Sequence, residues 1–451
     1  MHRFIIVGGG AGGLELATRL GDRYGKHRRN RQPRATVTLV DRHSTHVWKP
    51  LLHEVAAGSM DPATQELAYA AQAFWHNFEF QQGELVGLDR LAKRITLAPL
   101  LDDDGVELLP ERELEYDTLV IAIGSTTHFF GVQGAQEHSF PLDSVWEAER
   151  FRKRLIAACM RAEHEEEVPG SGAAASTPGE PRIQVAIVGA GATGIELSAE
   201  LRNTAKVLSA YGLHKLDPTR DIGLVVIEAG PRILPALPER VSNATAGLLG
   251  KLGVRLMTGE RVAEVAPGFV RTASGKTVRA DLTVWAAGIK APAVLGKLEG
   301  LPVTDLGQLT VRRTLQTQTD DNIFALGDCA ACPWPDSDGK VRKVPPRAQA
   351  AHQQASFLLH AFGNRLKGRQ LPEFAYRDLG SLVSLGHFSA VGNLMGGLAG
   401  GNMHVEGLFA RLMYASLYRL HIAALRGYPR MMLDTVAHWL RRTTLPDIKL
   451  H

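Results

Sequence analysis

Apolar residues follow two rhythms along this chain, and their alternation gives the fold class. Continuous apolar runs at Phe4-Ile5-Ile6-Val7 and Val185-Ala186-Ile187-Val188 read as buried parallel strands. Each run ends in glycine, and the segments beyond, Leu14 to Leu20 and Ile195 to Leu201, place apolar residues at helical spacing. Both halves then continue alike. A second strand closes on an acid (Val37-Thr38-Leu39-Val40-Asp41; Leu224-Val225-Val226-Ile227-Glu228). A later strand closes on glycine (Thr118-Leu119-Val120-Ile121-Ala122-Ile123-Gly124; Leu282-Thr283-Val284-Trp285-Ala286-Ala287-Gly288). One plan used twice predicts an α/β protein built from a duplicated strand–helix–strand module.

The pattern also predicts how the halves connect. From Glu163 to Arg182, consecutive glutamates give way to a Pro, Gly, Ser and Ala stretch with too little apolar surface to order itself, so a flexible segment is expected at 163–182. Beyond residue 300 a short strand ends in Gly327-Asp328 and a helix starts near Pro346, which returns the chain to the first domain and makes the second an insertion. The expected division is a first nucleotide domain in two parts, 1–150 and 296–380, a second at 151–295, and a C-terminal region, 381–451, with a strand pair at 382–398 followed by helices.

The turns supply the candidate chemistry. Gly8-Gly9-Gly10-Ala11-Gly12-Gly13 and Gly189-Ala190-Gly191-Ala192-Thr193-Gly194 each join a strand to a helix. A pyrophosphate must approach backbone N–H groups at the positive end of a helix, and side chains at the contact glycines would hold it off. Asp41 and Glu228 are placed to accept both ribose hydroxyls, although a strand-end acid can also be an ordinary exposed charge. At the second turn the carboxylate repels a 2′-phosphate and so favours NADH over NADPH; Arg232 nearby could offset that. Two dinucleotides in one chain are expected, on two Rossmann-like domains.

Composition narrows the partners. The 451 residues suffice for two or three domains, and 45% hydrophobic with 22% charged residues is an ordinary globular balance. A formal net charge of +4 gives no reason to expect a nucleic-acid partner, but the charge is uneven: Gly407 to His451 holds seven Arg or Lys against two acids. Cys159, Cys329 and Cys332 are too few for a disulfide scaffold; Cys159 falls on an expected surface helix before the 163–182 segment, and C-x-x-C at 329–332 reads as buried small side chains before it reads as a redox or metal pair. The first strand starts at once, so a cytoplasmic protein without a signal peptide is expected.

The array of Gly8 turn, Asp41, Ala122-Ile123-Gly124, the G-x-G-x-x-G-x-E from Gly189 to Glu196, and Gly327-Asp328 resembles, over nearly the whole chain, the two-dinucleotide flavoprotein fold of the glutathione-reductase type. Where disulfide reductases of that fold carry a redox cysteine pair, this chain has His46-Val47-Trp48-Lys49-Pro50-Leu51-Leu52-His53-Glu54-Val55-Ala56-Ala57-Gly58. That segment is similar to the corresponding one of type II (alternative) NADH:quinone oxidoreductases. So is Pro345 to Gln353, which carries their A-Q-x-x-x-Q motif at Ala348 to Gln353.

The resemblance implies non-covalent FAD held by Gly8, Gly10, Ala11, Gly12, Gly13, Asp41, Arg42, Lys49, Val86, Ala122, Gly124, Asp328, Ala348 and Gln349. It implies NADH held by Gly189, Gly191, Gly194, Glu196, Glu228, Ala287 and Gly288, and no metal site. Four residues take active roles: Glu196 beside the nicotinamide, Gln349 and Gln353 bordering a quinone, and Lys49 bonding flavin or offering charge to its reduced form. By pattern alone Glu196 is also a helix-start carboxylate favoured by the dipole, the glutamines a polar helix face, and Lys49 a solvated lysine. His53 stands where many relatives have tyrosine, and its role is open.

The chain's end reads as amphipathic. Leu408 to Arg426 sets Arg411, Arg419 and Arg426 in one arc opposite Phe409, Leu412, Met413, Leu417 and Leu420; Gly427 and Pro429 interrupt. The next helix sets Met432, Leu433, Val436, Trp439 and Leu440 against Arg430, Asp434, His438, Arg441 and Arg442. A basic face opposite a Trp-bearing apolar face marks a helix lying in the bilayer interface, the alternative being a helix packed on the protein's own core. No apolar stretch reaches the ~18 residues of a spanning helix.

The implied function is oxidation of NADH and reduction of a membrane quinone without proton pumping, on the cytoplasmic face of the inner (plasma) membrane. The C-terminal helices would meet anionic lipid, and a homodimer is compatible. Alternatives are an NADH-dependent reductase of a small iron–sulfur protein, a sulfide:quinone oxidoreductase and a non-enzymatic redox sensor.

Overall fold

A computed structural model describes residues 1–25, 33–164, 180–210, 215–335, 341–385, 390–394, 403–406 and 408–441. In chain order the elements that matter here begin with β1 (His2–Val7), α1 (Ala11–Tyr24), β2 (Ala35–Asp41), α2 (Leu52–Ala57), β3 (Glu79–Gln82) and β4 (Thr118–Ile121). Next come β5 (Phe140–Pro141), α3 (Val145–His164), β6 (Ile183–Val188), α4 (Ala192–Ala210), β7 (Ile222–Glu228), β8 (Val254–Thr258) and β9 (Leu282–Trp285). The last are β10 (Ile323–Ala325), α5 (Ala348–Arg365), β11 (Gly380–Ser384), β12 (Ala390–Leu394), β13 (Met403–Glu406), α6 (Leu408–Arg426) and α7 (Tyr428–Arg441).

Two units emerge. The first comprises Met1–Trp48, Gln65–Thr126 and Ile289–Arg377. Its centre is a parallel sheet ordered β10-β4-β1-β2-β3, whose aliphatic strands are buried as expected for a sheet covered by helices. Helix α5 packs beside α1, and its Phe362 meets Phe4 of β1 and Phe324 of β10 with ring centroids 5.1 and 5.0 Å away. Such aromatic pairs contribute about 0.5–1.5 kcal/mol each beyond their burial. The return of the chain after residue 300 is therefore fixed by a core contact.

The second unit comprises Lys49–Thr64, Thr127–Gly288 and Asp378–His451. Its parallel sheet, ordered β5-β9-β6-β7-β8, repeats the first in plan: the glycine-turn strand is central and the acid-ended strand is its neighbour. Val188, Ile227, Met257 and Trp285 share its core. Helix α2, which follows the first acid in sequence, belongs to this unit because it packs on α3 and α4, with Thr204 Oγ1 donating to the Ala57 carbonyl at 2.7 Å.

Three expectations need correction. Glu163 is no linker residue: it is buried in the last turn of α3 and accepts the Lys215 N–H at 3.1 Å, while the Arg182 guanidinium donates to the Ala162 carbonyl. The rest of the expected flexible segment, 165–179, lies outside the described residues. Cys159, read as a surface position, is fully buried on α3. The C-terminal strand pair is a three-stranded antiparallel sheet, β11-β12-β13, because Met403–Glu406 adds a strand too short to stand out as an apolar run.

Candidate active site

The two glycine turns share one geometry. Gly8 and Gly189 sit at φ +107° and +104°, where an L side chain is strained, and their N–H groups donate to Val40 and Ile227 carbonyls at 2.7 and 2.8 Å. A Cβ on Gly13 would stand 1.9 Å from the Gly8 carbonyl oxygen, and one on Gly194 2.1 Å from that of Gly189, so helix and strand close only on glycine. A Cβ on Gly10 or Gly191 would meet nothing within 4 Å. At both turns the middle glycine faces open space beside the first helical amides, which is room for phosphate oxygens and fits a dinucleotide.

The acids are fixed to their own turns. Asp41 accepts the Gly9 N–H at 2.6 Å and the His43 N–H at 2.8 Å; Glu228 accepts the Ala190 N–H at 2.8 Å and the Gly230 N–H at 2.7 Å. Each carboxylate oxygen has a second lone pair for a ribose hydroxyl. Arg232 is directed onto the Leu234 and Pro235 carbonyls at 3.2 and 2.8 Å.

Around Gly327-Asp328, Ser125 Oγ donates to Asp328 Oδ2 at 2.9 Å, Gln308 Nε2 to the Asp328 carbonyl at 2.9 Å, and Gly327 N–H to Gln354 Oε1 at 2.7 Å. Gly124 and Gly327 both need positive φ, +71° and +72°. Ala348 and Gln349 open α5, where the first amides have no partner within the helix.

Glu196 is 6% exposed on α4. Its Oε1 accepts the Ser384 N–H of β11 at 3.0 Å, and its Oε2 lies 3.6 Å from Nδ1 of His53, which is 3% exposed on α2. His53 Nδ1 also donates to the Pro50 carbonyl at 2.9 Å, and burial holds its imidazole down at about 4, so the ring is neutral. Lys49 Nζ donates to Asp143 Oδ1 at 2.8 Å, and Asp143 Oδ2 accepts the Thr127 N–H at 2.6 Å. Gln353 makes a bidentate bond to the Arg377 backbone, 2.8 and 3.0 Å, and lines an open groove of about 360 Å³ with His352, Ser356, Phe357 and Phe374. Gln349 is half-buried.

Sequence reading missed three residues. Glu15 occupies in the first module the place of Glu196 in the second; it is 3% exposed and paired with His352, Arg19 and Ser356. The G-x-G-x-x-G-x-E pattern is present at both turns and would have found it. Gln354, adjacent to the predicted Gln353, is the buried amide that holds Gly327, and Ser125 beside Gly124 orients Asp328.

Comparison with known proteins converges on one family. The pyridine nucleotide-disulphide oxidoreductase family model matches residues 2–355. The type II NADH:quinone oxidoreductase of Haemophilus influenzae is 41% identical over 454 residues, covering 100% of both chains. The chain belongs to the type II NADH:quinone oxidoreductases. A Staphylococcus aureus member is 26% identical over 87% of this chain and 90% of its own. In fold the chain is similar to NDH2 from Plasmodium falciparum in complex with NADH (TM-score 0.79, 18% identity, 100% and 99% coverage). It is also similar to the sulfide:quinone oxidoreductase of Aquifex aeolicus (TM-score 0.70, 19% identity, 95% and 92% coverage).

Two of the implied flavin contacts, Val86 and Arg42, are surface residues. Val86 is exposed on a separate antiparallel sheet, and the strand-end position beside Asp41 is taken by Gln82; Arg42 is exposed and donates to His43. The three cysteines are buried, and burial pushes each thiol up to about 12, which suits packing and not sulfide chemistry. Among the described residues no metal-binding group of side chains is found, and no helix is long and apolar enough to cross a membrane.

Helix α7 packs on α6, with Met431 and Thr435 half-buried and Arg426 paired to Asp434 at 3.1 Å. Met432, Leu433, Val436 and Leu440 are 57, 70, 51 and 56% exposed, so the apolar arc faces away from its own core. The expected roles of Phe409, Arg411, Leu412, Met413, Leu417, His438, Trp439, Arg441 and Arg442 rest on side chains outside the described residues.

Proposed function

We propose that this chain is a peripheral flavoenzyme in which the first unit holds non-covalent FAD, the second holds NADH, and two electrons from NADH reduce a membrane quinone. The observation that carries this reading is the twice-built cradle: an open middle glycine at a helix start, Gly10 and Gly191, beside an acid already bonded to the turn, Asp41 and Glu228. When bound, FAD supplies a two-electron store between a hydride donor and a quinone.

The residues themselves do the positioning. In the first unit the Gly8–Gly13 turn and α1 receive a pyrophosphate, Asp41 the ribose, and Asp328, oriented by Ser125, the ribityl–phosphate region. Gln349 and Gln353 border the quinone; an amide N–H given to a quinone carbonyl stabilises charge that develops there, and Gln353 has a second N–H beyond the one it gives Arg377. In the second unit the Gly189–Gly194 turn, Glu228, Ala287 and Gly288 hold NADH, with Glu196 at the nicotinamide. Lys49, held by Asp143, is the cation proposed for the reduced flavin.

The exposed arc of α7 supports docking to an anionic lipid surface on the cytoplasmic side of the inner membrane, with Arg419 and Arg430 exposed on the same two helices. A homodimer is compatible with this arrangement. The test is to denature the purified protein and identify what it releases. One FAD per chain is expected, together with NADH oxidation that depends on added quinone; colourless protein that takes up no FAD would reject the proposal.

A further inference from the structure

In the first glycine turn, Gly9 is held at both of its backbone polar groups. Its N–H goes to Asp41 at 2.6 Å, and its carbonyl accepts the Tyr69 hydroxyl at 2.9 Å. Tyr69 is buried at the start of the helix Tyr69–His76, seated by the strand pair of Thr45–His46 with Leu67–Ala68 and by its own N–H on the Ser44 carbonyl at 3.1 Å. Its ring packs on Phe80 with centroids 5.1 Å apart, and a Cβ on Gly9 would stand 2.3 Å from the hydroxyl oxygen, so the phenol reaches the carbonyl only across a glycine. The buried, neutral His46 imidazole is hydrogen-bonded to the Gly9 backbone as well. All of these residues belong to the first unit.

The second module holds the equivalent carbonyl by other means. Ala190 gives its N–H to Glu228 at 2.8 Å, and its carbonyl accepts the Leu234 N–H at 2.8 Å, with Leu234 in the left-handed region at φ +47°. Here the donor is a backbone group of the loop after β7, and the turn residue carries the methyl that Gly9 cannot. Two unrelated donors on one equivalent carbonyl mark this bond as a working part of the cradle. A trans peptide points its C=O and N–H to opposite sides. Drawing the Gly9 carbonyl inward therefore turns the Gly10 N–H away from Tyr69, and Gly10 is exposed, with nothing within 4 Å of a Cβ placed on it.

We propose that Tyr69 is a positioning residue for FAD: its hydroxyl sets the Gly9–Gly10 peptide so that the Gly10 N–H is presented to the pyrophosphate, and this bond governs how tightly the nucleotide is retained. That role rests on the functional reading above, which puts FAD in the first unit. Burial, with the Asp41 charge adding to it, pushes the phenol well above the usual tyrosine range, so the hydroxyl keeps the proton it donates. The contrast between the turns matches their ligands. A cofactor that stays is served by a side chain locked in the core, and a substrate that leaves at each turnover by a loop.

The test strips the full chain of flavin and titrates it with FAD, following quenching of flavin fluorescence and the thermal midpoint with and without FAD. Tyr69→Phe keeps the ring and removes the donor, which leaves a buried acceptor short of one bond. Its Kd for FAD should rise roughly tenfold or more, and the rise in midpoint that FAD produces should shrink. A wild-type Kd, with the two midpoints lowered alike, would overturn the proposal and leave Tyr69 a core residue only. A second comparison uses Gly9→Ala, which should weaken FAD binding strongly beside Tyr69 and far less in a Tyr69→Ala background, where the added methyl has room. Equal weakening in both backgrounds would contradict the contact. Wild-type protein that takes up no FAD would overturn the functional reading itself.

Discussion

Glu228 accepts the Ala190 amide N–H at 2.8 Å, the bond that Asp41 makes with Gly9 in the other module. With its second oxygen on Gly230, the carboxylate is a fixed negative charge at the tip of β7, and Arg232, the one group the sequence offered to neutralise a 2′-phosphate there, is spent on the Leu234 and Pro235 carbonyls.

Cofactor choice follows from that arrangement. Glu228→Gln keeps an acceptor for Ala190 and removes the charge, so the ratio of kcat/KM for NADPH to that for NADH should rise roughly tenfold or more, about 1.4 kcal/mol. An unchanged ratio would show that the carboxylate does not set the preference.

The two turns should fail separately. Gly194→Val drives a side chain into the Gly189 carbonyl and should leave a yellow protein that NADH no longer bleaches; Gly13→Val should yield protein without flavin. Absorbance spectra before and after NADH decide it, and loss of flavin from Gly194→Val would contradict the division of labour.

Acid sensitivity has a defined window. Burial lowers His46 in the first unit and His53 in the second from 6.5 to about 4. Between those values the unfolded chain binds the proton and the folded chain does not, so stability is complete above 6.5 and falls as the pH drops towards 4, by at most about 3 kcal/mol per histidine. Thermal midpoints at pH 7 and pH 4.5 should converge in His46→Gln relative to wild type; an equal drop in both proteins would contradict the burial effect.

Membrane attachment should be apolar first. Burying Met432, Leu433, Val436 and Leu440 contributes about 1.5–3 kcal/mol each, against about 1 kcal/mol for each basic residue near anionic lipid. Protein on anionic vesicles should therefore stay bound in high salt and be released by detergent, and Leu433→Glu with Val436→Glu should abolish sedimentation with vesicles. Clean release by salt would reverse that ranking.

Much of this was legible in the residues because the module is duplicated: Gly8 with Asp41 and Gly189 with Glu228 announce the same turn twice, and apolar runs mark the strands between. What stayed hidden depends on long-range packing. No local pattern shows that α2 rests on α3 and α4, that Gln353 clasps Arg377, or that Glu163 reaches Lys215. The exposure of the α7 arc was equally beyond a periodicity, which gives an apolar face without saying what covers it.

The most direct measurement is an anaerobic sequence on the purified full chain, following flavin absorbance. Addition of NADH should bleach the band within a single turnover, and a soluble quinone should then restore it with formation of quinol. A band that NADH leaves untouched, or that quinone fails to restore after bleaching, would contradict the account.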